Sequence, residues 1–141
     1  MNRQEPPPSP ERSRIMSRIR SRDTKPEMAV RSHLHSRGLR FRLHRRDLPG
    51  TPDIVLPRYR SAVMVHGCFW HGHEGCFRNP RTRAEWWSAK IARNRDRDVA
   101  ASAALAQAGW RVHVVWECQL SRSRAAETLD GLVGEITGAA P

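Results

Sequence analysis

The residues of this chain most able to do chemistry fall into one glycine-rich segment of eleven residues near its middle. Two cysteines and three histidines lie there, and the glycines allow the backbone to fold back on itself. Zinc prefers four thiolate or imidazole ligands in a tetrahedral arrangement. The candidate ligands are Cys68, Cys76, one of His71 and His73, and Cys118 from further along the chain. The clustering predicts a structural zinc site; the alternative is a flexible histidine-rich loop with ordinary buried cysteines.

Two aspartates could serve a second cation or a proton transfer. Asp53 follows a proline-containing turn and opens a short apolar segment, where its carboxylate could hold magnesium. An aspartate beside a proline is more often a plain turn residue, but the next predicted strand ends at His66, which would place an imidazole at the same sheet edge. Asp98 falls on the apolar face of a predicted helix, where a carboxylate needs a partner. The alternative places Asp98 at the margin of that face, solvated and paired with Arg95 or Arg97.

Aromatic residues lie beside these groups. Phe69 and Trp70 are in the glycine-rich segment, and Trp86 and Trp87 follow in the first turn of the predicted long helix. Aromatic rings next to arginines can wedge between DNA bases or stack on them. The alternative is that one or both tryptophans of the pair close the hydrophobic core.

Periodicity and capping signals predict the elements that position these side chains. Thr24 and Glu27 form a capping-box pattern, which gives Glu27 an ordinary structural role. The predicted elements are a helix from Thr24 to Gly38, strands near 39–43, 53–56 and 62–66, a helix from a second capping box at Thr82 to about Ala108, a strand at 110–116 and a last helix around 129–136. The middle two strands are close enough for a hairpin. This order predicts a mixed α/β layer fold in which helices pack on a sheet.

The strand at 110–116 shows a simple alternation of large apolar residues. Trp110 and Trp116 share a predicted face with the two valines between them, Val112 and Val114. Alternation of this kind is typical of a strand with one buried face. We therefore expect both tryptophans in the core.

Length and composition limit the class of protein. The chain has 141 residues, which fits one domain over 12–141 preceded by a disordered proline-rich arm over 1–11. No apolar run is long enough for a membrane span or a signal peptide, and an odd count of three cysteines disfavours a disulfide framework. Both points predict a cytoplasmic protein. The net charge is +11, of which residues 1–60 carry +9 (15 basic and 6 acidic residues), and this arginine surplus favours a nucleic-acid partner.

Taken together, the motifs resemble those of the very-short-patch repair DNA mismatch endonucleases. The matching segments are Arg22-Asp23-Thr24 with Glu27, Pro49-Gly50-Thr51-Pro52-Asp53, His66-Gly67-Cys68-Phe69-Trp70-His71, Asn94 to Asp98 and Val115-Trp116-Glu117-Cys118. The resemblance covers residues 12–120. It implies a restriction-endonuclease-like α/β fold with a central mixed sheet flanked by helices and a structural zinc site. It also implies a magnesium-dependent nick 5′ to the thymine of a T:G mismatch left by deamination of 5-methylcytosine.

The resemblance assigns roles by position. For the reaction it implies Asp53 and the main-chain carbonyl of Val65 as magnesium ligands, His71 as the proton-transfer residue, His66 and Asp98 as supporting residues, and Glu27 as an acidic residue near the metal. For structure it implies Cys68, His73, Cys76 and Cys118 as zinc ligands. For double-stranded DNA it implies Phe69, Trp70 and Trp87 as an aromatic wedge and Met16 as a residue inserted from the N-terminal region.

The same resemblance implies a monomeric bacterial enzyme at the nucleoid, with mismatch-repair proteins and a polymerase as partners. Two other functions are compatible with the residues. One is a zinc-stabilised DNA-binding module without catalysis, which would leave Asp53, His66, His71 and Asp98 without a common role. The other is a restriction or junction nuclease of the same fold, which a comparison of matched and T:G duplexes would distinguish.

Overall fold

The computed structural model describes residues 23–138, and it forms a four-stranded sheet with three helices. The helices are α1 (Lys25–Ser36), α2 (Ala84–Gln107) and α3 (Ala125–Thr137), and the strands are β1 (Arg42–Leu43), β2 (Ile54–Leu56), β3 (Ser61–His66) and β4 (Arg111–Trp116). The predicted arm of residues 1–11 and the predicted contact residue Met16 lie outside the described residues. Among the helices of the described part, none is long and apolar enough to cross a membrane.

The sheet is mixed, as predicted, with the strand order β1-β2-β3-β4. The predicted hairpin is confirmed, because β2 and β3 pair antiparallel with Leu56 opposite Ser61. β3 and β4 pair in parallel over six residues each, from Ser61 opposite Arg111 to His66 opposite Trp116. A parallel pair needs a long crossover connection, and here that connection contains the glycine-rich segment and all of α2.

Helices cover both faces of the sheet. Alternate strand residues point to opposite faces, so Val63 and Val115 pack with α1 and α3, whereas Ala62 and Met64 pack with α2. The larger core cluster lies on the α1 and α3 face and includes the fully buried Ile54, Leu56, Leu34 and Ile136. The face toward α2 therefore holds the smaller core, and Asp53 and His66 lie at its end.

The ends of α1 follow the sequence signals, but the start of α2 does not. The Thr24 side chain accepts a hydrogen bond from the Glu27 amide at 3.4 Å, and Gly38 follows the helix at φ +77°. The capping box predicted at Thr82 is wrong: α2 begins at Ala84 after Arg83, which has φ +58°, and no side chain among the described residues caps it. The first turn instead packs on the glycine-rich segment, where the rings of Trp87 and Phe69 lie 5.3 Å apart.

The prediction of a single buried face on β4 is also wrong. Trp110 and Trp116 are only half-buried, and Val114 is 38% exposed. The buried residues of the strand are His113 and Val115, on the opposite face. Because helices lie on both sides of the sheet, the two faces of β4 meet different surroundings and a simple alternation does not identify the core.

Candidate active site

A pocket of about 480 Å³ lies where β2 begins and β3 ends, beneath α2. It brings together five of the residues predicted to take part in a reaction and adds others from the segment after β1 and from α2. The predicted members are Asp53, Val65, His66, His71 and Asp98, and the additional ones include His44, Asn94 and Arg97. Residues that are far apart in the chain thus share one concave site.

Asp53 lies one residue before β2, with its carboxylate mostly buried. Its Oδ2 accepts a hydrogen bond from the Val65 amide at 2.7 Å. Burial and, to a smaller extent, the neighbouring carboxylate of Glu27 raise the pKa of Asp53 to about 7, although the hydrogen bond from the Val65 amide lowers it. Two adjacent buried carboxylates repel each other unless a proton or a cation lies between them. This donor set fits a hard cation such as magnesium.

Two stacked histidines face Asp98 across the pocket. The rings of His66 and His71 lie 3.8 Å apart at 3°. His71 Nδ1 is 2.6 Å from Asp98 Oδ2, and His66 Nε2 is 3.9 Å from Asp98 Oδ1. Burial, together with the charge of His71, lowers the pKa of His66 to about 4, so its ring is neutral near pH 7. His66 Nδ1 is buried and has no hydrogen-bond partner within residues 23–138.

These contacts decide between the two interpretations of Asp98. It is not a solvated residue paired with Arg95 or Arg97; it pairs with the two histidines. Arg95 instead donates a hydrogen bond to the carbonyl of Gly72. An imidazole whose Nδ1 is held by a carboxylate presents Nε2 to its surroundings, which is the arrangement of a proton-transfer group.

A second cluster lies beside the pocket and consists of sulfur and imidazole donors. One ligand atom from each of its members lies within 4.8 Å of the others: Cys68, His73, Cys76 and Cys118. His73 Nδ1 is 3.6 Å from Cys68 Sγ and 3.5 Å from Cys118 Sγ. His73 therefore belongs to this cluster, and His71 belongs to the pocket. Three thiols and one imidazole are a donor set that suits zinc.

Without a cation, the Cys68 thiol of this cluster favours its protonated form. Burial raises the pKa of the Cys68 thiol to about 11 despite a backbone hydrogen bond from Cys118 that lowers it. A bound divalent cation reverses this preference, because coordination deprotonates a thiol outright. The cluster thus has the chemistry of a structural metal site.

Trp116 forms a wall between the cluster and the pocket. Its ring stacks on His73 at 4.0 Å and 9°, and its edge meets His66 at 5.0 Å and 75°. The sequence prediction placed Trp116 in the core and missed this position. The only sequence signal for it is its place directly before the Glu117-Cys118 pair.

The predicted aromatic wedge forms a layered cluster. Phe69 and Trp70 are half-buried, with ring centroids 5.2 Å apart, and each packs on Trp87 at 5.3 and 5.8 Å. Trp87 itself is 3% exposed. The structure therefore places Trp87 beneath the other two rings, so direct contact with a base would require those rings to move.

Helix α2 holds this segment in place. Asn94 Nδ2 donates a hydrogen bond to the carbonyl of Trp70 at 2.8 Å, next to the contact of Arg95 with Gly72. Gly72 has φ +59°, and a Cβ there would lie 2.5 Å from Ile91 Cγ2. The aromatic rings and His71 are thus fixed to the helix that carries Asp98.

Comparison with known proteins identifies relatives of this chain. A family model described as "DNA mismatch endonuclease Vsr" matches residues 8–78. The chain is 60% identical over 122 residues to the type II nicking enzyme V.XorIIP of Xanthomonas oryzae pv. oryzae, an alignment that covers 84% of this chain and 89% of that protein. It is 46% identical over 127 residues to the DNA mismatch endonuclease Vsr of Escherichia coli K12 (89% and 80%) and 41% identical over 131 residues to the type II nicking enzyme V.NmeAIP of Neisseria meningitidis serogroup A (91% and 93%).

Proposed function

Because the chain belongs to the Vsr family of DNA mismatch endonucleases, we propose that it nicks one strand 5′ to the thymine of a T:G mismatch. In this proposal the mismatch arises by deamination of 5-methylcytosine, and the nick starts very-short-patch repair. The observation that carries the proposal is the convergence of Asp53, His66, His71 and Asp98 on one pocket beside an aromatic cluster. The hairpin that presents Asp53 on a mixed sheet supports a restriction-endonuclease-like fold.

Each residue of the pocket has a distinct part in the proposed hydrolysis. Asp53 and the main-chain carbonyl of Val65 would hold magnesium, which supplies activation of the attacking water and charge stabilisation at the leaving oxygen. Asp98 fixes His71 through Nδ1 at 2.6 Å, so that Nε2 is the atom that accepts or returns a proton. His66 is buried and neutral, and its ring stacks on the ring of His71 and restricts the orientation of His71.

The cysteine and histidine cluster has a structural part in this proposal. Cys68, His73, Cys76 and Cys118 would hold zinc and thereby join the segment after β3 to the turn after β4. Phe69 and Trp70 lie between two of these ligands, so the metal would restrict them. A mispaired step is cheaper to unstack than a matched one, and rigid aromatic rings can convert this difference into selectivity.

The setting of the protein follows from the same proposal. The substrate is double-stranded DNA, which suits a chain with a net charge of +11. We place the protein in the bacterial cytoplasm at the nucleoid, acting as a monomer with mismatch-repair and polymerase partners. Its likeness to named nicking enzymes supports single-strand cleavage.

The decisive experiment uses a pool of T:G duplexes with randomised flanks, incubated in magnesium. We expect nicks 5′ to the mismatched thymine and none in the corresponding T:A pool. Asp53→Ala should abolish nicking and leave mismatch binding largely intact, because Asp53 serves the cation and not the DNA. Asp47→Ala is the matched control, since Asp47 is exposed and pairs only with Arg45 among the residues described. Equal cleavage of both pools, or normal turnover by Asp53→Ala, would refute the proposal.

A further inference from the structure

The buried carboxylate of Glu27 is held by three donors, one from α1, one from the residue before the Thr24 cap and one from the residue after β1. Glu27 is 1% exposed. Its Oε2 accepts hydrogen bonds from Arg31 Nη2 at 2.7 Å and from the Asp23 amide at 2.5 Å, and its Oε1 lies 2.8 Å from His44 Nε2. A carboxylate oxygen has two acceptor positions, so Oε2 is saturated and Oε1 is half-used by protein donors.

Arg31 supplies the positive charge next to the Glu27 carboxylate. Its guanidinium also donates to Asp23 Oδ1 at 2.5 Å, and its side chain is only 13% exposed. A guanidinium stays charged at any pH at which the protein folds. Arg31 therefore compensates the buried charge of Glu27 and fixes the direction of its carboxylate.

His44 joins Glu27 to Asp53. Its ring contacts Glu27, and its main-chain amide donates to the carbonyl of Asp53 at 3.1 Å. His44 has φ +46°, a conformation that is unfavourable for a residue with a side chain and persists only where surrounding contacts impose it. It also lines the pocket that contains Asp53, His66 and Asp98.

We propose that Arg31 and His44 are positioning residues that hold Glu27 back from direct coordination of the catalytic cation and leave Asp53 as the carboxylate that binds it. This inference rests on the proposed function, because it concerns the cation of the same site. Its basis is geometric: Arg31, the Asp23 amide and His44 occupy three of the four acceptor positions of the Glu27 carboxylate, while that carboxylate stays next to Asp53.

Loss of Arg31 or His44 should change cation affinity and turnover in opposite directions. Affinity for a hard cation rises with the number of carboxylate ligands. A variant that releases Glu27 should therefore bind the cation more tightly and turn over more slowly, because the extra ligand misplaces the cation. If Arg31 and His44 merely supported the fold, their loss would weaken cation binding and activity together.

The test measures binding of Mn²⁺ to the zinc-loaded full chain by electron paramagnetic resonance, without DNA, and nicking of T:G duplexes in parallel. His44→Ala should bind Mn²⁺ several-fold more tightly and nick about 10–100-fold more slowly, the range expected when a partner of a metal-site residue is removed, with the KM for DNA unchanged. His44→Gln should restore most of the turnover, since its amide can donate to Glu27. Adding Glu27→Gln to His44→Ala should remove the gain in affinity.

His33→Ala is the matched control, because His33 lies on the same helix as Glu27 and contacts Asp130 instead. Arg31→Met should behave like His44→Ala; if it does not fold, the His44 variants carry the test alone. Unchanged or weaker Mn²⁺ binding by His44→Ala would overturn the inference. A wild-type chain that fails to nick T:G duplexes would instead overturn the proposed function, and the Mn²⁺ affinities would still decide on Arg31 and His44.

Discussion

His71 and His73 are two residues apart and face different sites. His71 pairs with Asp98 in the pocket, whereas His73 lies between Cys68 and Cys118. The chain reverses between them at Gly72, which has φ +59°. Residue types and spacing alone leave the choice of zinc ligand open, because the direction of each side chain depends on that one backbone conformation.

His44 was not predicted for a similar reason. In the sequence it is a single histidine within a run of arginines, and nothing in that pattern indicates a positive φ or a contact with Glu27. Glu27, in contrast, was expected both as a capping residue and near the metal. The structure shows its main-chain amide bonded to Thr24 and its side chain turned toward Asp53.

The first prediction at this scale concerns Trp70. Trp70→Ala should weaken binding to a T:G duplex much more than binding to the matched T:A duplex, because stacking of a base on an aromatic ring contributes about 1–3 kcal/mol. Phosphate contacts by arginines should remain and support binding to both duplexes. Affinities measured by fluorescence anisotropy at one fixed salt concentration would show the difference.

Trp70→Phe is the matched control, since it keeps an aromatic ring at the same position. It should retain most of the preference for T:G. An equal loss of affinity by Trp70→Ala for both duplexes would mean that Trp70 serves general packing, and the wedge would then lose its support.

At the scale of elements, the strands and helices were predicted well where one local signal dominates. The capping pattern at Thr24 and the glycine at position 38 gave α1 nearly to the residue. β4 was predicted in position but with the wrong buried face, because α2 and α3 cover opposite sides of the sheet. Burial of His113 on that strand is compensated by polar partners that the sequence does not indicate.

The loop after β3 and the turn after β4 meet at the cysteine cluster, which gives a second prediction. Elemental analysis of chelator-washed protein should find about one zinc per chain. Cys118→Ser should lose the zinc and lower the melting temperature, although it removes no residue of the pocket. Glu117→Gln, its exposed neighbour, should retain both. A folded wild-type chain without zinc would contradict the assignment.

Helix α3 is fastened to the sheet by two residues of β4. Arg111 donates hydrogen bonds to the carbonyls of Glu135 at 2.8 Å and Ile136 at 2.5 Å, at the end of the helix. His113 lies between Ser61 Oγ (3.1 Å from Nε2) and Glu135 Oε2 (3.3 Å from Nδ1). Ser61 is fully buried, so this serine–histidine–glutamate chain stabilises the fold and is closed to a substrate.

The third prediction follows from His113. Burial lowers its pKa below the ordinary value of 6.5, although Glu135 acts in the opposite direction. The unfolded chain therefore binds the proton more readily, and the stability contributed by neutral His113 is present above about pH 6.5 and lost as the pH falls toward the folded-state pKa. When the pH is lowered from 7.5 to 5.5, the free energy of unfolding should fall less for His113→Gln than for the wild type.

Urea unfolding at the two pH values measures this difference. His35→Gln serves as the control, because His35 is exposed on α1 and should leave the pH dependence unchanged. If His113→Gln and the wild type lose the same free energy over this interval, His113 is not the titrating group.

At the scale of the whole molecule, the order of elements was enough to predict helices packed on a sheet, but not the pocket. Its residues come from the turn before β2, the end of β3 and the middle of α2, and their meeting depends on the parallel pairing of β3 with β4. The distribution of charge along the chain follows from the sequence alone: residues 1–60 carry most of the positive net charge. Where that charge lies relative to the pocket could not be predicted from the sequence.

The crossover between β3 and β4 also bears on the order in which the pocket is assembled. Ser61 pairs with Leu56 five residues away but with Arg111, whose number differs from its own by 50. Closing the longer loop costs more chain entropy, so we expect the pairing of β3 with β4 to follow the hairpin. The hairpin that carries Asp53 and His66 can thus form early, whereas Asp98 and Trp116 arrive only with the crossover. We therefore expect a growing or partly unfolded chain to hold Asp53 and His66 near each other before Asp98 and Trp116 complete the pocket.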